Sequence, residues 1–521
     1  MSVRRVMGIE TEYGVHAPDA PDADHGELSH VIVGAYRAAS ASRGLELNTT
    51  WDYVSEDPLR DARGFDLPRA AAHWEQLTHE VSHVVPNVVL PNGGRLYVDH
   101  AHPEFSTPEV TTPRDAVRWD RAGDVIAQRA VAQANQAPTG PHPLLYKNNS
   151  DGKGASYGTH ENYLIPRTIP FEELVGLLVP FLITRQVLCG AGQVGIGQEG
   201  EEPGFQISQR ADFMQRIMAL DTTARRPLVN TRDEPHADTQ KYRRLHLIIG
   251  DANTFDYSTF IKVGSTSAVL ALAEEVFAQE LPGISDIARQ IAELAVADPV
   301  REVKLISRDI SLDHQVQLAN GEFLTSLDIQ RRYAALTREV LQLRAHANGR
   351  TVDADTVEVL DYWDDLVQRL ATNPSSCATE VEWLGKYQVL EGLRTRHGLS
   401  WSSDRIAAAN IQWSDVREDR GLSARLRAAG MVRELITDDE AHQAVDAPPE
   451  DTRAWFRGRC IEKFGRMIPA AGWASIVIDT GTAQHRVPMR EPLKGTKDLV
   501  ESVITSSEDT TSLLRVLTGS R

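Results

Sequence analysis

Two glutamates stand two residues apart in the run Gly8-Ile9-Glu10-Thr11-Glu12-Tyr13-Gly14. In an extended strand, residues two apart share a face, so Glu10 and Glu12 would present their carboxylates together. Like charges held that close call for water, a cationic side chain or a metal ion. A solvated strand face satisfies the first option, and this motif alone does not separate it from the other two. A second run is more demanding. In Arg95-Leu96-Tyr97-Val98-Asp99 a cation, a phenol and a carboxylate alternate onto one face, while Leu96 and Val98 point to the other. His102, Glu104, Thr107 and Glu109 follow. A purely structural strand seldom puts so many polar groups on one side.

Two further runs add donors. In Tyr157-Gly158-Thr159-His160-Glu161-Asn162-Tyr163, His160 and Asn162 share a strand face. A neutral imidazole there could ligate a metal or serve as an ordinary hydrogen-bonded core histidine. Residues 225–246 hold Arg225, Arg226, Arg232, Arg243 and Arg244, with His246 at the end. Guanidinium forks suit phosphate or carboxylate, and surface ion pairing is the plainer alternative. Taken together, these types fit divalent ions held by carboxylates on a sheet, with arginines over phosphates. Magnesium prefers such oxygen ligands and commonly bridges substrate phosphates. Asp99, sharing a face with Arg95 and Tyr97, is the leading catalytic candidate.

Other motifs lead nowhere. Gly190-Ala191-Gly192-Gln193-Val194-Gly195 has GxGxxG spacing but follows an expected helix, so it fails the strand-to-helix context of a dinucleotide site. Gly495-Thr496-Lys497 lacks the upstream glycine of a P-loop, and neither GxSxG nor HExxH is present.

The elements that must position these residues read as follows. Strands are expected at 5–15, 95–99, 144–147, 161–166, 204–209 and 245–250, and helices at 27–42 and 114–136. Another helix should end at 179–188, and helical periodicity covers most of 265–279, 327–346, 353–372 and 378–396. The segment 46–86, with Trp51-Asp52-Tyr53, Pro58 and Pro68, breaks this pattern and reads as a functional or mobile insertion. A boundary is placed near residue 430. Thr437-Asp438-Asp439-Glu440 is a capping box opening a short helix. Asp451 or Thr452 should cap a helix reaching Phe464, then come a strand at 473–479 and a terminal helix at 497–517. The fold class is α+β, with residues 1–430 as the large domain and 431–521 as a small one.

Composition narrows the function. The 521 residues carry a formal charge of −18, which argues against a general nucleic-acid binder. The longest apolar stretch, 174–183, is broken by Pro180 and is far short of the roughly 20 residues of a membrane span. The first residues carry no apolar signal segment, and three widely spaced cysteines suit a reducing cytoplasm.

The runs 8–14, 95–109, 147–149, 157–163 and 230–238 are long and specific. Through them the sequence resembles the Pup-processing branch of the glutamine synthetase-like carboxylate–amine ligase superfamily, over nearly the whole chain and including the Trp473 segment. Pup is a small disordered protein tag. One enzyme of this branch ligates Pup to substrate lysines, and the other deamidates Pup and removes it. The insertion 46–86, the segment Val98-Asp99-His100-Ala101-His102 and the run Asp151-Gly152-Lys153-Gly154-Ala155-Ser156 look like the second. The spelling Gly8-Ile9-Glu10-Thr11-Glu12 is closer to the ligase.

The resemblance implies a large domain whose curved antiparallel sheet cradles a nucleotide, with a small C-terminal domain packed on it. It implies ATP, or ADP plus phosphate, and Mg2+ as cofactors, and Pup and pupylated proteins as partners. It implies Glu10, Tyr97 and Glu104 at the magnesium site, with Glu12, His160 and His246 as further members. It places Arg95, Thr107, Trp473 and Arg232 at the nucleotide and makes Asp99 the catalytic aspartate. The expected reactions are conversion of the C-terminal glutamine of Pup to glutamate and cleavage of the Pup–lysine isopeptide bond. The alternatives are ligation of Pup to lysine with ATP consumption and a non-catalytic Pup-binding adaptor.

Overall fold

The computed structural model describes residues 2–72, 87–221 and 225–519. Its centre is a sheet of eight strands: β1 (Met7–Glu12), β2 (Asn87–Val89), β3 (Arg95–Asp99), β4 (His102–Ser106), β5 (Thr159–Pro166), β6 (Arg216–Ala219), β7 (Pro227–Asn230) and β8 (Tyr242–Leu247). Their order is β6-β7-β8-β5-β1-β4-β3-β2. Every neighbouring pair is antiparallel except β6 and β7.

Register sets the site. Glu10 lies opposite His160 on one side and Ser106 on the other, and Glu12 lies opposite Glu104. Glu104 in turn faces Tyr97 across β3, and Asn162 faces His246 across β8. Because side chains alternate with period two, these registers gather all of them on one face. The opposite face carries Ile9, Leu96, Phe105, Tyr163 and Leu245, each nearly fully buried. It packs on the helices Pro113–Ala134 and Asp256–Ala278. The first of these starts with Pro113 in its first turn, capped by Thr112 accepting from the Asp115 amide. Gly123 lets it close on the sheet, since a Cβ there would lie 2.4 Å from the Phe105 ring. Asp256–Ala278 is buried on almost every side, so it has no polar face to show.

A second core forms around Trp51, Val89, Phe456, Ile461, Ile468, Ile476, Ile478 and Leu513. It joins the helix Ala454–Phe464 to a small sheet of β9 (Ala470–Ala471), β10 (Ser475–Asp479) and β11 (Gln484–Pro488). Ile436, Ala441, Ala444 and Val445 belong instead to the large core. The Thr437 capping box forms as expected, with Thr437 and Glu440 bonding reciprocally.

Several expectations need correction. The expected strand 5–15 breaks at Tyr13, and Gly14–His16 leaves the sheet to pair with Leu144–Tyr146. The terminal helix is two helices, Lys497–Ser506 and Thr510–Thr518, the second capped by Asp509. Arg453 occupies the cap position of the helix at Ala454, and of the two expected residues only Thr452 reaches it, its hydroxyl oxygen accepting from the Ala454 amide at 3.3 Å. Thr452 donates to the Glu109 carbonyl and Asp451 accepts from Thr111, so both tie the small core to the sheet. Part of 46–86 is architecture rather than a mobile insertion. Thr50–Trp51 pairs in parallel with β9, and Asp52 accepts two bonds from Arg486 at 2.9 Å each. Asp61 accepts from Thr231 at 2.6 Å. The remainder, residues 73–86, lies outside the described residues.

Candidate active site

Six potential ligands stand in two clusters on the polar face. Glu10, His160 and His246 form one and Glu12, Asp99 and Glu104 the other, each with its donor atoms within 4.8 Å of one another. In the first, Glu10 accepts from Asn162 Nδ2 at 3.1 Å and lies 3.2 Å from His160 Nδ1, with Arg244 3.8 Å away. Burial would raise the Glu10 carboxyl, but His160, Arg244 and Asn162 bring it below the usual range. The His246 ring lies 5.0 Å from that of His160. Burial first, then the charges of Arg244 and His160, hold His246 well below the ordinary histidine value. Both its nitrogens are buried without a hydrogen-bond partner. A neutral imidazole with two orphaned nitrogens beside a carboxylate is a ready metal ligand.

The second cluster has the opposite problem. Burial, then Asp99, Glu10 and Glu12, push Glu104 well above the usual carboxylate range. Tyr97 is pushed up by burial and by Glu104, so its phenol stays protonated and bonds Glu104. A phenol in that state supports a ligand carboxylate rather than acting as an anionic ligand itself. Crowded acids of this kind fit a divalent cation, which would remove the repulsion.

Asp99 ends β3, with its side chain 24% exposed. It pairs with His102 across a two-residue turn, His100-Ala101, whose φ angles are +51° and +102°. Such turns usually take Asn-Gly, and each non-glycine residue held in a sparsely populated region costs about 1–3 kcal/mol. The helix His25–Ser42 holds the turn in place, with the Ser29 hydroxyl donating to the Ala101 carbonyl at 2.7 Å. His100 Nδ1 lies 2.5 Å from Asp99 Oδ2.

Beside the first cluster opens a narrow cleft. Gly8, Glu10, Thr107, His236, Arg244 and Trp473 are among its walls. The Thr107 hydroxyl accepts from the Ile9 amide at 3.0 Å. Trp473 packs edge-on against Trp51, with ring centroids 5.0 Å apart. Arg95 is not in the cleft wall. Its guanidinium sits 3.7 Å from the Tyr97 ring centre and 4.1 Å from that of Trp51, and donates to Asn87 at 2.9 Å. Arg232 lies one layer out, 3.8 Å from Glu234, which also faces Arg244 at 3.7 Å. Of the five clustered arginines, Arg232 and Arg244 converge on the first cluster. Arg243 packs over Phe171 on the far side, and Arg226 donates to the Ser156 carbonyl. Arg225 has no place in the described site.

Sequence reasoning missed two features. Arg210 is almost fully buried, donates to the Tyr157 carbonyl and leaves Nε without a partner. Burial and Arg226 lower its pKa to about 10, with Glu12 opposing. Nothing local marks it. Glu109, singled out only as one polar residue among several, anchors the small core through Arg453 and Arg457. Their spacing of four on a helix was the available signal. Gly190 follows the helix Gln186–Cys189, and the glycine run leads into the strand Gln193–Ile196, so the dinucleotide reading fails as expected.

A family model described as Pup-ligase protein matches residues 5–477. The chain is 46% identical over its full length to the Depupylase of Acidothermus cellulolyticus, also covered completely. It is 44% identical to the Pup deamidase/depupylase of Mycolicibacterium smegmatis, over 99% of this chain and 100% of the relative. Among solved structures, the complex of Pup with its ligase PafA aligns with a TM-score of 0.75 and 29% identity, covering 99% of this chain and 94% of that one. The Pup ligase PafA with ADP aligns at 0.70 and 30% identity, covering 85% of this chain and 95% of that one.

Proposed function

Because this chain belongs to the Pup-ligase protein family, we propose that it is the hydrolase of that family: it deamidates the C-terminal glutamine of Pup and cleaves Pup from pupylated proteins. The observation that carries this reading is the position of Asp99. It is a partly exposed carboxylate at the edge of a charged site, in a chain that matches depupylases end to end at 44–46% identity. Pup–protein ligases among the relatives are 33–37% identical to this chain.

Both reactions attack the same γ-carbonyl, and only the leaving group differs: ammonia in one, a lysine amine in the other. Asp99 supplies the reacting oxygen directly, as nucleophile, or takes the proton from an attacking water. Its neighbours Glu104 and Glu12 place two further carboxyl groups around it. Tyr97, protonated, fixes Glu104 from the next strand. The ligase bound to ADP supports nucleotide use here, and the cleft walled by Trp473 and Thr107 suits a base stacked on an indole. Glu10, Glu12, Glu104, His160 and His246 would hold magnesium, which neutralises phosphate charge and stabilises a developing oxyanion. Arg244, beside Glu10, and Arg232, beside Glu234, are guanidinium groups facing that site.

The partners are Pup and pupylated proteins, in keeping with the Pup-bound ligase. No helix among the described residues is long and apolar enough to cross a membrane. Three buried free thiols fit a reducing compartment, and the cytoplasm is the proposed location.

The test is mass spectrometry of Pup ending in glutamine, incubated with ATP and magnesium, comparing wild type with Asp99→Asn. Deamidation adds about one dalton, because an amide nitrogen is exchanged for an oxygen. A gain in wild type, absent in the mutant, supports the reading. No gain, with lysine conjugates formed from Pup ending in glutamate, makes the chain a ligase.

A further inference from the structure

Contacts run in series from the cleft to the second cluster through Trp473, Trp51, Arg95 and Tyr97. Trp473 is in the cleft wall, and Trp51 meets it edge-on, with ring centroids 5.0 Å apart and planes at 73°. The Trp51 ring also carries the Arg95 guanidinium, 4.1 Å from its centre, and Arg95 lies 3.7 Å from the centre of the Tyr97 ring. Tyr97 in turn bonds Glu104. Trp51 is the member that touches both the indole of the cleft wall and the cation, yet it is not in the cleft wall itself.

The backbone fixes Trp51 in this place. It pairs with Ala471 of β9, two residues before Trp473. Asp52, the next residue, accepts from Ser475 at 2.6 Å, and a Cβ at Gly472 would stand 3.0 Å from the Asp52 carbonyl oxygen. The Trp51 indole N–H donates to Glu56 at 2.6 Å. Arg95 is buried too, and among the described residues no carboxylate forms an ion pair with it. A buried cation is costly unless other groups compensate it. Two aromatic faces and the Asn87 side chain, which accepts from Nε at 2.9 Å, do so here. The charge of Arg95 still reaches the cleft. Burial first, then the charges of Arg244, Arg453, Arg232 and Arg95, hold the cleft-wall residue His236 well below the ordinary histidine value.

We propose that Trp51 is a positioning residue of the nucleotide site: it props the Trp473 platform and clamps the Arg95 guanidinium against Tyr97, so that one side chain sets both the base platform and a cation beside it. An unstacked arginine keeps several rotamers and must give them up when it meets an anion. Stacked between two rings, Arg95 has already lost that freedom, which lowers the ordering cost of binding. This assigns a function to the part of 46–86 that is built into the small sheet. The inference rests on the reading of the cleft as a nucleotide site.

Three substitutions separate the aromatic face from simple packing. Trp51→Leu and Trp51→Phe both lose the bond to Glu56 and some volume, but only phenylalanine keeps a π face. Arg95→Lys leaves the small core untouched and keeps the charge, but loses the planar stacking group. ATP affinity in the presence of magnesium is measured by titration calorimetry, with thermal midpoint, and with kcat and KM for ATP from the deamidation of Pup ending in glutamine. Trp51→Leu is expected to weaken ATP binding and raise its KM about 10-fold, with kcat within a few-fold of wild type. Trp51→Phe should recover most of that affinity, although both variants melt earlier than wild type. Arg95→Lys should also bind ATP about 10-fold more weakly. Combined with Trp51→Leu, it should weaken binding by less than the product of the two single effects. Wild-type affinity in Arg95→Lys or Trp51→Leu, or a phenylalanine variant as weak as leucine, overturns the inference while leaving the nucleotide reading standing. A wild-type protein that binds no ATP overturns both.

Discussion

Glu109, just past the strand β4, and Arg457, in the helix Ala454–Phe464, form a buried ion pair that joins the large sheet to the small C-terminal core. Arg457 is fully buried, donates also to the Gly93 carbonyl at 2.7 Å and 2.9 Å, and lies 4.9 Å from the centre of the Trp473 ring. Arg453 adds a second bond to Glu109 at 2.7 Å. One carboxylate thus ties both the core and a wall of the cleft to the sheet.

The two arginines overcome the burial penalty and hold Glu109 at about 2, below its ordinary 4.5. A depressed folded value stabilises the protein above the unfolded value, and this contribution is lost as pH falls through the window from about 4.5 toward 2. The shift corresponds to about 3 kcal/mol at neutral pH. Urea titrations from pH 7 down to 3 should show wild type losing stability more steeply than Glu109→Gln. Parallel curves would show that Glu109 carries no such linkage. At pH 7 the substitution should cost about 3 kcal/mol.

Glu104 gives the opposite sign. Its carboxyl is held well above 4.5 by burial and by Asp99, Glu10 and Glu12. In the cation-free protein its favourable contribution is present below the ordinary carboxylate value and is lost as pH rises through the raised one. Glu104→Gln should therefore raise the thermal midpoint of the cation-free protein at pH 8, by a few degrees. The same variant should gain less than wild type when millimolar magnesium or manganese is added. A lower midpoint without cation would show that Glu104 is paired rather than repelled.

Trp473 should act on the nucleotide and not on the chemical step. Removing an aromatic platform costs about 1–3 kcal/mol of stacking. Trp473→Ala should then raise KM for ATP by roughly 5- to 100-fold with kcat within a few-fold of wild type. Trp473→Phe should lie between. A fall in kcat at unchanged KM would move Trp473 out of the nucleotide site.

Asp99→Asn should abolish hydrolysis, by at least about 1000-fold, while nucleotide affinity and thermal midpoint stay near wild type. A single turnover in water labelled with heavy oxygen separates the two routes. If Asp99 attacks, one of its own oxygens can pass to Pup, and the label then enters the Asp99-containing peptide. If it acts as base, the label goes only to Pup.

Much of this site is visible in the chain because it lies on strands. Alternation alone assigned Glu10 and Glu12 to one face and Arg95, Tyr97 and Asp99 to another, and β3 has the bounds the sequence suggested. Many of the long helices were likewise legible from periodicity, and Thr437 with Glu440 from local capping chemistry, but the shorter helices Ile284–Ala292, Pro299–Arg308, Asp404–Trp413 and Leu422–Ala428 were not expected. Long-range closeness was not legible. The chain leaves the sheet at Tyr13, and Gly14 then passes so close to Tyr157 that a Cβ there would lie 2.4 Å from its hydroxyl, a contact between segments far apart in the chain. The role of Thr50–Trp51 depends on a partner more than 400 residues away.

The sequence by itself determined which residue types share a strand face and where many of the long helices run, since both follow from local geometry. Only the tertiary structure decided that Glu10 meets His160 and His246, that Glu12 meets Asp99 and Glu104, and that Arg95 stacks rather than lines the cleft. Those outcomes depend on strand order, on register and on what burial does to charge. Each of these is fixed by contacts between segments far apart in the chain.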